Sequence, residues 1–479
     1  MSYYFQFIIY LCKCTRNSKV LQIMKMKWLT GTARILSFAL ILTIFLLYIV
    51  LLEDRSMPIY QNLSLMLLYI IFAICSIGFY LSISKAYLFQ GITWSFWMTF
   101  LCIAPIVQIK MNKFPLQADT SATNNQLSVI IILIATIFLL IGSTLPSKDR
   151  KSALLINNGG NKSENFIRAL SLLALLSFLV IVFRSSLSVF LLTRYEFEQA
   201  TQYAFINPQV GLIVVNLCRM TSVICASYFL MNSKSDGLRR LGPLLRTFFI
   251  LQAVYVNNPI SSSRLSFIAM LIAIILSIGK VRENLIRYSI LSIVPFYLFI
   301  FPLLDRFRYR NVLSKKTGLY ETFLNPDFDA YQQLSNTITF VEERGYQMGE
   351  QFLGAIMLFV PNEFWTSKPI PSGPLVASSV NLRFTNLSSP IPAESFIDFG
   401  FVGVIIYAFV IGKLIFRVDR YIKKKEILKE FSSIPLILLL TLSGQLTLLL
   451  RGALIGVAGP SILIMLIYFL YVITKRKVY

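Results

Sequence analysis

Histidine does not occur once among the 479 residues. Its absence excludes Ser-His-Asp and Cys-His nucleophile chemistry, imidazole-ligated metals and the side chain that ordinarily changes charge near neutral pH. Charge is scarce as well: 14% of residues are Asp, Glu, Lys or Arg, against about 25% in soluble domains. Six cysteines occur, Cys12 and Cys14 near the N-terminus and Cys75, Cys102, Cys218 and Cys225 inside apolar runs. That distribution supplies neither a disulfide framework nor a four-ligand zinc site. No P-loop, GxGxxG, HExxH or cysteine-based metal spacing is present. An ATP-driven pump and a redox enzyme are therefore not indicated, and the expected chemistry needs no cofactor and no metal.

What is abundant is apolar. Hydrophobic residues make up 56% of the chain and the mean hydropathy is +0.69. A water-soluble core could not hide that much apolar surface, so a lipid bilayer must be the solvent for most of it. Runs near the roughly 20 residues needed to cross a bilayer fall at 33–52, 63–82, 91–109, 127–145, 167–183, 209–231, 247–260, 265–279, 288–304, 399–416, 434–450 and 454–473. The expected fold is a single all-α, polytopic membrane domain over residues 1–479 with about twelve transmembrane helices. Tyr3 to Leu11 is too short to cross and has its charges behind it, so it does not read as a signal peptide; Met24 and Met26 are alternative starts.

The net charge of +23 would suggest nucleic acid in a soluble chain. Here the positive residues sit in short blocks between apolar runs, which is an orientation signal, and no nucleic-acid partner is expected. One alternating set of loops carries the blocks, among them Lys148, Arg150 and Lys151, then Arg417, Arg420, Lys423, Lys424 and Lys425, then Lys475, Arg476 and Lys477. The opposite set of short loops holds only Arg55, Lys110, Lys113, Arg184, Arg194, Arg264 and Arg451. By the positive-inside rule both termini are cytoplasmic.

One connection stands apart. Residues 305–398 run without a convincing span, on the extracytoplasmic side of this topology, with ten carboxylates against eight Lys or Arg. A loop of that length usually carries function. Gln351 to Val360 is apolar enough to lie along the membrane face as a short amphipathic helix, and the four prolines of PNEFWTSKPIPSGP, with an interfacial Trp365, favour rigid irregular backbone.

Cations on the unfavoured side are the candidate binding groups. Arg264 follows Ser261, Ser262 and Ser263; it reads either as a snorkelling anchor or as a fixed cation for an anionic headgroup, assisted by Ser263 and free helix amides. Arg306, Arg308 and Arg310 in DRFRYRN share one face if extended, and form either a diphosphate clamp or a solvated cluster paired to loop carboxylates. Arg451 lies between the last two spans and Arg219 in mid-span. Arg451 reads either as a cation with a partner or ligand or as part of a tight interfacial turn with Gly452, and Arg219 either as a site residue or as paired with a carbonyl or a tyrosine. Glu394 and Asp398, four apart in PAESFIDFGFVGV, share a helix face at the membrane boundary. They read either as N-terminal helix charge or as a general base, for which a carboxylate is the likeliest choice in a chain without histidine.

SSSRLSF, DRFRYRN, PNEFWTSKP, PAESFIDFGFVG and RGAL together resemble segments of the Wzy-type oligosaccharide repeat-unit polymerases, the O-antigen polymerases of bacterial surface-polysaccharide assembly. The resemblance covers mainly residues 255–455, with Ala393 where the family often has glycine before the glutamate and Leu265 where it often has glycine after the loop arginine. It implies a multi-pass protein of the bacterial inner membrane. Its substrate would be undecaprenyl-diphosphate-linked glycan, the cationic residues would bind the donor, and a chain-length regulator is a possible partner. The O-antigen ligases have related chemistry but carry a histidine in the large loop, which this chain lacks. A lipid-linked oligosaccharide flippase or other secondary transporter is the competing class; the chain shows no matching halves and keeps its unusual charges near one face.

Overall fold

The computed structural model describes residues 59–116, 121–145, 160–232, 242–278, 281–300, 319–361, 363–382, 384–385, 387–428 and 433–476, with scattered helical residues between 35 and 46. Among the described residues the chain is nearly all helical and contains no strand. Eight helices are long and apolar enough to cross a membrane, and three shorter apolar helices, Gly242–Val256, Arg264–Ile278 and Gly459–Thr474, accompany them. The chain is thus a multi-pass helical membrane protein. The expected first span, 33–52, lies mostly outside the described residues.

The helices are α1 (Ile59–Lys85), α2 (Leu88–Met98), α3 (Ala104–Met111), α4 (Ala122–Thr144), α5 (Gly160–Ser185), α6 (Arg194–Ala204), α7 (Pro208–Met231) and α8 (Gly242–Val256). They continue with α9 (Arg264–Ile278), α10 (Glu283–Pro295), α11 (Ala330–Arg344), α12 (Glu350–Ile356), α13 (Ser372–Ser379), α14 (Ile391–Ile427), α15 (Ile434–Arg451) and α16 (Gly459–Arg476). Two expectations shift in detail. The span expected at 399–416 is the middle of α14, which starts at Ile391 and kinks at Phe399 and Gly400, where glycine takes φ 60°. The span expected at 454–473 divides into a single turn, Leu454–Val457, and α16.

At the centre stands α2–α3, joined by a wide π turn over Thr99–Ile103. Pro105, which has no N–H to return to the carbonyl four residues earlier, follows that turn. Every residue of α2 and the π turn is buried, surrounded by α1, α10, α14 and α15. Its first amides point at a carboxylate from another helix: Asp419 of α14 accepts from Phe89 N at 2.8 Å and Gln90 N at 2.9 Å. The adjoining Tyr87 supplies no side-chain cap, so Asp419 does the capping that the local sequence omits.

The most extensive contact between two long helices is that of α4 with α14, and two glycines make it possible. A Cβ on Gly142 would lie 2.3 Å from Phe409 O, and one on Gly412 would lie 2.4 Å from Leu139 O. The two backbones approach each other at reciprocal positions, as small residues allow in membrane helix pairs.

One end of the bundle is held by charged and carbonyl contacts. Arg287 reaches Glu283 at 2.7 Å and Ile83 O at 3.1 Å, Lys423 donates to Lys85 O at 3.0 Å, and Glu283 N donates to Glu426 at 2.7 Å. At the other end, residues 319–390 fold down onto the helix tips. Gln108 donates to Phe323 O at 2.8 Å and Phe328 O at 2.9 Å, Gln332 brackets the Leu116 peptide at 2.7 and 3.0 Å, and Asn124 donates to Thr339 at 2.9 Å.

Candidate functional site

The site is organised by a turn whose sequence is Asn325-Pro326-Asp327-Phe328-Asp329. Pro326 fixes φ at the first position of a short 3-10 helix, Pro326–Phe328. Phe328 is fully buried and stacks on Phe100 of the central π turn, centroids 5.0 Å apart, with Phe323 at 5.2 Å. With the aromatic ring as anchor, the flanking aspartates serve different helices. Asp327 pairs with Arg264 at 2.6 Å and Asp329 with Arg451 at 3.0 Å.

Arg264 opens α9, and Ser263 caps it: Ser263 Oγ accepts from Ser266 N at 3.1 Å and shares a hydrogen bond with Ser266 Oγ at 2.7 Å. Ser263 is therefore a helix cap that sets the direction of the arginine beside it. Arg264 is 9% exposed, which leaves a snorkelling role without the water it would require. Arg451 ends α15 and also lies 3.5 Å from Pro326 O. Its own carbonyl accepts from Ser389 N at 2.9 Å, and Gly452 forms an antiparallel bridge with Ser388. Asp329 closes the circuit by accepting from Ser388 N at 3.0 Å.

Five residues after Ser389, Glu394 sits in the first turn of α14 with no exposed surface. Its Oε1 accepts from Ser372 Oγ and from Leu454 N, the latter at 3.2 Å. The Ser389 hydroxyl also adjoins the carboxylate; Oε2 has no partner at hydrogen-bond geometry, and among the described residues no cation lies at ion-pair distance from it. Arg264 and Arg451, far apart in sequence, are thereby held on one turn by Asp327 and Asp329, and Glu394 adjoins them through Leu454 N, three residues past Arg451.

Asp398 behaves otherwise. Its Oδ1 accepts from Gln351 N at 3.1 Å; its Oδ2 accepts from Phe352 N at 3.1 Å and from Tyr407 OH at 3.0 Å. These contacts make it the cap of α12. Arg219 donates to Val256 O at 3.0 Å and Ser261 O at 3.1 Å and lies 4.8 Å over the Phe197 ring. It closes the end of α8 and holds the serine turn before α9 through these carbonyls. Trp365 is half-buried in a run of turns, its N bonded to Pro361 O at 3.2 Å. Lys368, whose ammonium burial pulls below the usual lysine range, fixes the same run through Leu358 O and Val360 O. Arg306, Arg308 and Arg310 lie outside the described residues.

Asp327, Asp329, Ser372 and Ser388 were not singled out by the sequence. A signal was present in the pattern Asp-aromatic-Asp behind a proline, which throws two carboxylates to either side of a buried ring. Among the described residues no group of three or more cysteines or carboxylates is arranged to hold a metal. No family model, no curated protein and no solved structure matches the chain.

Proposed function

We propose that the chain is a membrane glycosyltransferase that polymerises undecaprenyl-diphosphate-linked oligosaccharide repeat units into a surface polysaccharide on the outer face of the cytoplasmic membrane. The observation that carries this reading is Glu394: a wholly buried carboxylate with one oxygen held by Ser372 and Leu454 N and the other without a partner at hydrogen-bond geometry, beside the turn from Arg451 to Leu454. A carboxylate fixed in this way presents a free lone pair to a substrate proton.

In the proposed reaction a hydroxyl oxygen of the acceptor repeat unit attacks the anomeric carbon of the donor sugar. The bond from that carbon to the diphosphate oxygen breaks, and the electron pair leaves with the lipid diphosphate. Glu394 Oε2 takes the hydroxyl proton and passes it to water. No nucleotide site is required, because the donor already carries its leaving group. Within the circuit Arg264 and Arg451 are each balanced by an aspartate. Charge developing on the diphosphate is therefore met by Arg306, Arg308 and Arg310 or by exchange of an aspartate for a phosphate oxygen at Arg451, whose Nε is buried and unpartnered.

The test is single substitution followed by analysis of surface glycan. Glu394→Gln keeps shape and removes the base, and is expected to lower polymerisation about 10²–10⁴-fold, leaving single capped repeat units at the surface. A flippase would instead leave no repeat units there. Normal polymer length in Glu394→Gln would sink the assignment.

A further inference from the structure

The faces of α11 differ in how completely their polar groups are satisfied. Tyr331, Gln332 and Thr339 all reach α4 or the 112–116 segment and find partners there. A second stripe, Asp329, Gln333, Asn336 and Phe340, recurs at spacings of four, three and four, about a third of the way round the helix. Its two ends are fixed. Asp329 is bonded to Ser388 N and Arg451, and Phe340 packs on Val376 of α13 and Ile397 of α14. Gln333 and Asn336 lie between them, 1% and 3% exposed, and the side-chain nitrogen of each has no partner.

What faces them follows from the register. Ser372 is four residues before Val376 on α13, and Glu394 is three before Ile397 on α14; each is one turn from a residue that touches Phe340. Gln333 and Asn336 thus lie along α11 between Asp329, which holds Ser388, and Phe340, which packs on α13 and α14 one turn from Ser372 and Glu394; Glu394 Oε2 and the Ser388 hydroxyl are likewise unpartnered. An unmatched buried polar atom is costly, and Gln333, Asn336, Ser388 and Glu394 each carry one.

From this juxtaposition we infer that Gln333 and Asn336 form, with Glu394, the subsite that binds the hydroxyl groups of the acceptor sugar. The inference rests on the proposed glycosyltransferase reading and deepens it. Two neutral donors, one carboxylate oxygen and a serine hydroxyl match a polyol, which both gives and accepts hydrogen bonds. They do not suit a phosphate, which would meet the acidic oxygens of Glu394 and Asp329. Gln333 and Asn336 would orient the attacking hydroxyl toward Glu394 and set which sugar is accepted.

The test uses the full chain purified in detergent, with Gln333→Met and Asn336→Leu, which keep volume and remove the amides. The probe is the repeat-unit oligosaccharide cleaved by mild acid from the lipid carrier of the producing cell. Each substitution is expected to weaken its binding about tenfold, the cost of one lost buried hydrogen bond, with thermal stability equal or higher. If Asn336→Leu fails to fold, Asn336→Ser removes the amide without added apolar bulk and is held to the same expectation. Undiminished oligosaccharide binding, or no binding by the parent protein, overturns the subsite and leaves a water-filled gap. Surface glycan measured in parallel separates the two readings. Polymer lost in Glu394→Gln but normal in both amide variants overturns the subsite alone; polymer normal in Glu394→Gln overturns the enzyme.

Discussion

The Asp329–Arg451 pair offers the most direct measurement of how the site is held together. Asp329 is 2% exposed in its side chain and Arg451 19%. Asp329→Ala removes the carboxylate from both Arg451 and Ser388 N. Breaking a buried pair from one side costs about 3–5 kcal/mol, and the partial exposure of Arg451 puts this pair at the lower end, about 3 kcal/mol. The orphaned Ser388 amide adds about 1–3 kcal/mol, so the single variant should lose about 4–6 kcal/mol. Arg451→Met alone should lose about 3 kcal/mol, with Asp329 keeping its Ser388 bond. In the double variant the pair term is counted once, so the loss should fall short of the sum by about 2–3 kcal/mol. Equilibrium unfolding in mixed micelles, followed through the fluorescence of the buried Trp94 and Trp97, reads all three. Additivity within about 0.5 kcal/mol would show that the two side chains do not hold the turn to α15.

Three further outcomes follow from the packing. Asp419→Ala should cost about 1–2 kcal/mol in the same unfolding measurement, because the first amides of α2 lose their only side-chain acceptor; Asp419→Asn should cost less. Gly412→Leu should separate α4 from α14, since its Cβ would start 2.4 Å from Leu139 O, with a loss of about 1–3 kcal/mol or more and raised hydrogen exchange confined at first to those two helices. Asp398→Asn should speed amide exchange over 350–356, the helix it caps, while surface glycan stays polymeric; loss of polymer there as severe as in Glu394→Gln would return Asp398 to the chemistry.

The lipid-facing architecture was legible because its signal is summed over many residues. The run expected at 434–450 is α15, Ile434–Arg451, and that expected at 209–231 is α7, Pro208–Met231. The start of α14 was not, because Pro392, Glu394 and Asp398 made its first turns look like loop; burial by other helices, not composition, keeps Ile391–Asp398 helical. Arg264, Arg451 and Glu394 stood out because each is costly where it sits. Their aspartate partners did not, since ten carboxylates in one segment look alike until the fold selects two. Arg219 and Asp398 stood out for the same reason of cost; the partners of Arg219 are two carbonyls and those of Asp398 two backbone amides and the Tyr407 hydroxyl.

The interior position of α2 bears on how the protein can be made. Gln90, Thr93, Ser95 and Thr99 all lie on a helix that touches no lipid, and the carboxylate that satisfies its first amides arrives from Asp419, more than three hundred residues later in translation. Until α14 is synthesised, this segment has to wait in the bilayer with its leading amides uncovered. Chains cut short before that point would keep an unfilled vacancy at their middle, and membrane quality control should clear them rapidly even though the described helices α1 to α13 are complete.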